Sequence, residues 1–307
     1  MVRHAATVRQ PRRRLPGVSH PLPAPLLLLT PAALVLIGVV GFPWAWSLVT
    51  SFTRWSAMES SGPKPVGLHN YADVLTDGAF WHSVGLTALL VGITVPAEIC
   101  LGFAIAYLLN KDRRGTGIFQ ILLILPWVVV PVMAGFAWRL MLHPQYGVIT
   151  YLSHLLHLPT AGWLTQPHTV IFTAIIVEVW RHTPIAVIIL LAGLRSVPPD
   201  ILNAGRADGC GELRLIRHIV IGSIRPFIVF ATVTAVMFEI RSFDIVYGLF
   251  QSGGPGDGAN VLGMYLYNTF TTSLDFGRSS AVAYLLLIIT FSATAWMARG
   301  AFKRVDE

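Results

Sequence analysis

The sequence predicts an all-α integral membrane protein: six transmembrane helices, with a cytoplasmic helix–turn–helix elbow between the fourth and the fifth. Three observations carry that expectation. Of the 307 residues, 54% are hydrophobic and 12% charged, with a mean hydropathy of +0.64, whereas soluble domains carry about 25% charged residues. Six apolar runs each reach the roughly 20 residues that a helix needs to cross the hydrocarbon core. One polar, turn-prone stretch, ILNAGRADGCGEL at 201–213, stands between two of those runs. The net charge of +7 does not point to a nucleic-acid partner. The basic residues are scattered at the ends of apolar segments, where they act as an orientation signal.

Residues 1–22 read as a basic cytoplasmic tail, and 23–307 as the six-helix membrane domain. The first apolar run, from about Pro25 to Val49, is too long for a signal-peptide core and shows no convincing cleavage site. It is expected to stay as the first membrane helix. The spans are placed at about 25–50, 82–109, 118–142, 169–194, 219–240 and 280–301. Kinks are expected at Pro43, Pro96, Pro126, Pro131, Pro184 and Pro226, because a membrane bundle can satisfy the carbonyls that proline frees.

Orientation follows from Lys and Arg in the connections. The N-terminal tail, the 110–117 connection, the fourth-to-fifth connection from Arg195 to Arg217 and the C-terminal tail hold 15 of them; the other three connections hold four, Arg54, Lys64, Arg241 and Arg278. Both termini and the elbow are therefore placed in the cytoplasm of a prokaryotic cell, with the chain threaded several times through the inner (plasma) membrane and its flanks in contact with lipid. Cys100 in an apolar run and Cys210 in a cytoplasmic loop are not expected to pair.

The outer connection 143–167 suggests a short amphipathic helix near 147–157. Its histidines His143, His154 and His157 have no Cys or carboxylate close by, and interfacial packing accounts for them better than zinc. No metal site is expected anywhere in the chain.

The elbow spans 196–217. Pro198 and Pro199 suit a helix start, with Asp200 in the first turn, where the helix dipole favours an acid. Asp208-Gly209 signals a turn, and a second helix is expected from about Glu212 into the fifth span. The residues alone leave two readings open: a small-residue surface on which another protein docks, and a solvated loop.

The stretch resembles the EAA loop of ATP-binding-cassette importer permeases, roughly E-A-A-x-x-D-G-A, a spacer, then I-x-L-P-x-x-x-P. Here it reads Asn203-Ala204-Gly205-Arg206-Ala207-Asp208-Gly209-Cys210, then Ile219 to Pro226. FQSGGPGDGANVLGMYLYNTF at 250–270 is similar to the T-x-G-G-P segment of carbohydrate-type permeases, and GLHNYADVL at 67–75 to their first outer loop. Four positions depart from the pattern: Asn203 stands for the motif's Glu, Gly205 for Ala, Cys210 for Ala and Ile221-Gly222 for Leu-Pro. Asn203 keeps a hydrogen bond but no ion pair, so weaker docking is expected on this side.

The resemblance implies a permease subunit for a sugar or related polyhydroxyl solute, closest to the six-helix partner of sugar-permease heterodimers. It implies a second, related permease, a homodimeric or paired cytoplasmic ATPase gripping residues 203–209, and an extracytoplasmic solute-binding protein facing Gly253, Gly254 and Pro255. The chain contains no G-x-x-x-x-G-K-[ST] loop. It is not read as an enzyme and is expected to bind no cofactor; ATP and Mg²⁺ belong to the ATPase.

For the solute path, the resemblance points to the helices on either side of the elbow. In TAVMFEIRSF, Ala235, Phe238, Glu239 and Ser242 share one helical stripe by their spacing. An aromatic face beside a carboxylate and a hydroxyl suits a polyhydroxyl ligand. The preceding span carries Glu178, Trp180, Arg181 and His182, and ionisable residues inside a span usually face a cavity or a partner. Glu178 and Arg181 equally fit an i,i+3 ion pair that touches no solute, and Glu239 could pair with Arg241 or Arg139. Trp44, Trp46, Trp127 and Trp138 read as interface anchors or core. Sugar alcohols and glycerophosphodiesters stay open as solutes. An ATP-independent transporter is the reading from another class, opposed by the elbow and by the lack of an inverted repeat.

Overall fold

The computed structural model describes residues 23–59, 62–111, 115–157 and 162–303; the basic tail expected at 1–22 lies outside them. By contacts the chain divides after Ser47. The first unit holds helix α1 (Pro23–Leu36), a π turn (Ile37–Gly41) and the first part of α2 (Phe42–Ser51). Together they make an uninterrupted apolar helix over Leu29–Ser51, long enough to cross a membrane.

In the second unit, two-residue strands β1 (Thr53–Arg54) and β2 (Lys64–Pro65) pair antiparallel, a small departure from the all-α expectation. Helix α3 (His69–Thr76) follows. Its buried Asn70 donates to the carbonyls of Ser51 and Thr53, each at 2.8 Å, tying α3 to the chain ahead of it.

The centre of the bundle is α4 (Gly78–Leu109) packed along α8 (Pro167–Arg195). A Cβ on Gly102 would stand 2.7 Å from the Ala186 Cβ, so glycine is what lets the two helices cross this closely. Pro96 and Pro184 lie inside these helices without ending them.

Two expected spans break. The third becomes α5 (Thr116–Val128) and α6 (Pro131–Met141), bent by 95°. Val129 and Val130 are extended and Pro131 opens α6; proline disfavours helical backbone in the residue before it. The fifth runs through α10 (Glu212–Leu215), a π turn (Ile216–Val220), α11 (Ile221–Ser223) and α12 (Arg225–Glu239), bent by 73° at Ile224 ahead of Pro226. Among the described residues, four helices are thus long and apolar enough to span a membrane, or up to six if each bent pair is one span.

Between the two broken spans lie α7 (Val148–Leu155), where the amphipathic helix is expected, and α9 (Pro199–Ala207). Two short helices without a sequence forecast, α13 (Asp244–Phe250) and α14 (Leu262–Thr271), precede α15 (Phe276–Lys303). α13 crosses α6 where Gly135 and Gly248 meet; a Cβ on Gly135 would lie 2.8 Å from the Gly248 Cα. Buried apolar clusters fill the bundle: one around Val170, Ile245 and Met264, one around Leu190, Leu215 and Ile224, and one joining Val74, Phe80, Val236 and Val282.

Candidate functional site

Two places gather the candidate residues: the α9 elbow and a cavity beside α8 and α12. At the elbow, Pro199 opens α9 and Gly209 ends it with φ +79°, a conformation natural to glycine. The Gly209 N–H donates to the Arg206 carbonyl and the Cys210 N–H to the Gly205 carbonyl, both at 3.0 Å. This paired closure is the Schellman arrangement, and it satisfies carbonyls that the helix end leaves over. Asp208-Gly209 is therefore a helix stop as well as a turn signal.

Gly205 is the one buried residue of α9. A Cβ there would meet the movable tip of Ile219 at 2.8 Å. Asn203, Ala204, Arg206, Ala207, Asp208 and Gly209 are all exposed. Arg206 Nε donates to Glu212 Oε1 at 3.3 Å and Tyr107 Oη to Glu212 Oε2 at 2.9 Å, holding the elbow to the end of α4.

The cavity measures about 370 Å³ and opens where the α5–α6 bend faces α8, α12 and α13. Trp127, Phe238 and Phe243 supply its aromatic walls; Glu178, Arg181, His182, Arg241, Ser242 and Asp244 its polar ones. Trp127, read from the sequence as an interface anchor or core, lines this cavity. The His182 and Phe238 rings lie parallel, 8° apart in plane and 5.5 Å between centroids.

The expected stripe on α12 divides. Phe238 lines the cavity, but Ala235 packs into the apolar cluster with Val236 and Val282. Ser242 lies beyond the end of α12, in a turn closed by its N–H on the Glu239 carbonyl. From there its hydroxyl still reaches Glu178, as donor to Oε1.

The charged pairs also differ from those that spacing offers. Arg181 Nη1 meets His182 Nε2 at 2.6 Å, and His182 Nδ1 meets Glu239 Oε1 at 2.8 Å. Glu239 pairs with neither Arg241 nor Arg139; Arg241 Nε donates to the Met237 carbonyl. An ionised group in low dielectric needs partners, and α8 and α12 supply them to each other.

Sequence reading missed Glu98. It is the one acidic residue of α4, 1% exposed, with Oε1 3.9 Å from His182 Nδ1. Its signal was present, a lone carboxylate inside an apolar run. Glu98, His182 and Glu239 converge so that a donor atom from each lies within 4.8 Å of the others.

Gly253, Gly254 and Pro255 form a loop with Gly254 at φ +76°. Gly254 and Pro255 line a second cavity of about 610 Å³, with Arg139, His143, Gln145 and Thr165. Gly253 packs closely on Asn260 and Asp257 instead.

Residues 98–303 match the family model described as binding-protein-dependent transport system inner membrane component. The chain is 33% identical over 266 residues to the "Probable ABC transporter permease protein y4oQ" of Sinorhizobium fredii, covering 86% of this chain and 85% of that one. It is 30% identical over 240 residues to the trehalose/maltose transport system permease protein of Thermococcus litoralis, covering 78% and 81%. In fold it resembles a chain of a bacterial alginate ABC transporter solved with an alginate pentasaccharide-bound periplasmic protein. That match has a TM-score of 0.74 at 15% identity and covers 91% of this chain and 94% of the other.

Proposed function

Because the chain belongs to the family of binding-protein-dependent transport system inner membrane components, we propose that it forms half of the path of an ATP-driven importer for a sugar or related polyhydroxyl solute. Each bent pair then counts as one span, giving six, with both termini and the elbow in the cytoplasm, as the distribution of Lys and Arg favours. A related permease supplies the other half of the path. A cytoplasmic ATPase pair, which binds the ATP and Mg²⁺, grips the exposed 203–209 surface. An extracytoplasmic binding protein delivers solute near Gly253, Gly254 and Pro255. The chain itself hydrolyses nothing.

The cavity is the observation that carries the solute class. Three aromatic faces share the wall with two carboxyl groups, two guanidinium groups, an imidazole and a hydroxyl around about 370 Å³. Such walls match the C–H faces and hydroxyl groups of a sugar. A relative named for trehalose/maltose transport supports the same reading. Arg181 and Arg241 in that wall favour a second reading, an acid-bearing sugar or a glycerophosphodiester.

The test is isolation of the full chain from its native membrane, identification of what comes with it, and reconstitution into liposomes. Co-isolation of an ATPase and a second permease, with sugar uptake that needs ATP and the binding protein, is expected. A chain that comes out alone and moves solute without ATP would replace this reading with a secondary transporter.

A further inference from the structure

We propose that Glu98, His182 and Glu239, with Glu178 as a fourth donor, form a binding site for a divalent first-row transition ion, Zn²⁺ or Mn²⁺, at the junction of α4, α8 and α12.

The donors have the spacing of a metal shell. From His182 Nδ1 the carboxylate oxygens of Glu239, Glu178 and Glu98 lie at 2.8, 3.4 and 3.9 Å. A tetrahedral ion with bonds of about 2.1 Å separates its donors by about 3.4 Å, so the set brackets that distance. One imidazole with carboxylates is a donor set that zinc and manganese accept and magnesium does not favour.

The donors are also incompletely satisfied. Glu98 Oε1 and Glu239 Oε2 are buried without a hydrogen-bond partner, in residues each 1% exposed. Three carboxyl groups face one imidazole and one guanidinium here, and carboxyl groups buried in an apolar bundle must be protonated, paired or bound to a metal. Glu98 and Glu239 do not line the 370 Å³ cavity, whereas Glu178 and His182 do. The recess thus lies behind the cavity wall, on a scale that suits a bare ion better than an organic cation.

Binding requires one movement. Arginine only donates, so His182 Nε2 accepts from Arg181 and Nδ1 carries the hydrogen given to Glu239. An ion at Nδ1 requires the other neutral tautomer: the hydrogen leaves Nδ1 and one is taken up at Nε2, with no net proton released from the ring. The guanidinium can no longer sit there. Arg181 lines the cavity and its Nε has no partner, so it turns into the cavity. Ion binding would therefore fasten three helices together and change the charge that a solute meets.

No sequence motif announces the site, because its donors come from three separate spans. It is also independent of the importer reading, since ion binding is measured without transport. The full chain, held in nanodiscs with whatever partners co-purify, is stripped with EDTA and titrated with ZnCl₂ and MnCl₂, with MgCl₂ as the control. Retained metal and melting temperature are measured. About one ion per chain is expected, with a raised melting temperature, roughly tenfold weaker binding in Glu98→Gln and tighter binding in Arg181→Met. Should Glu98→Gln not fold, the native chain and Arg181→Met decide. No retention by the native chain, or equal retention by native, Glu98→Gln and Arg181→Met, overturns the proposal. So does stabilisation by methylammonium but not by Zn²⁺, which would assign the recess to an organic cation.

Discussion

His182 Nδ1 donates to Glu239 Oε1 across 2.8 Å, joining α8 to α12 between helices otherwise packed through apolar side chains. Glu239→Leu leaves that N–H without its acceptor, at a cost of roughly 1–3 kcal/mol. Glu239→Gln keeps an acceptor and is expected to melt close to the native chain. Thermal melting of the EDTA-stripped protein in one detergent compares the two; equal losses would mean that volume, not the hydrogen bond, matters there.

The elbow separates two glycine roles. Gly209 needs its positive φ, so Gly209→Val is expected to cost roughly 1–2 kcal/mol locally, while Gly209→Asn, which tolerates that backbone, costs less. Gly205→Ala meets only the movable tip of Ile219 and is expected to be mild; Gly205→Val is not. Co-purification with the ATPase reads both series. Wild-type recovery in Gly209→Val would remove the elbow from the docking surface.

Asn203 is exposed and receives only a long hydrogen bond from Arg206 Nη1, 3.4 Å to its Oδ1. Asn203→Glu is expected to strengthen ATPase association, with a steeper loss as salt is raised. Unchanged or weaker association would count against a charge-based contact at this position.

Phe238 both walls the cavity and lies against the His182 ring. Phe238→Ala is expected to lower ATP-driven uptake severalfold while ATPase co-purification stays intact. Normal uptake would move the solute path away from α12.

Asp77 caps α4, accepting from the Ala79 N–H at 2.8 Å, from Tyr265 Oη at 2.7 Å and from Arg278. Burial pushes its carboxyl up, but the hydrogen bonds from Tyr265 and Ala79 and the Arg278 charge outweigh that and hold it below its ordinary range. A lowered folded-state pKa adds stability that is complete above the unfolded value and is lost as pH falls through the folded one. The contribution is therefore present above about pH 4 and disappears below it. Asp77→Asn is expected to lower neutral-pH stability by roughly 1–2 kcal/mol and to flatten the acid limb of the melting curve. An acid limb as steep as the native one would assign it to other carboxylates.

Apolar run length made α4, α8 and α15 legible, because nothing in those runs competes with a helix long enough to cross a bilayer. The prolines flagged the bends at Pro131 and Pro226, but run length could not show that the chain breaks there. Proline marks a possible break, but neighbouring helices decide whether one occurs, as the unbroken Pro96 and Pro184 show. The helices α13 and α14 are too short to stand out by hydropathy. Glu178, His182 and Glu239 were visible as charges in apolar surroundings, whereas their partnering was not. Periodicity assumed that α12 continued through Ser242, and a window average hid Glu98 among apolar neighbours. Long-range convergence of that kind is a property of packing, and no local spacing encodes it.

The glycine crossing of α6 and α13 limits the ways in which the cavity can change size. With Gly135 against Gly248, neither backbone has a side-chain cushion on which to slide. A contact this close is expected to hold the two helices together, with Pro131 and Ile245 in the cavity wall beside it. Outside that contact, regular helix is interrupted at Val129–Val130 and at Ile240–Phe243. Trp127 and Phe238 are carried on the far sides of those interruptions, so a change in cavity width would be expected as a swing of two aromatic side chains about the glycine contact.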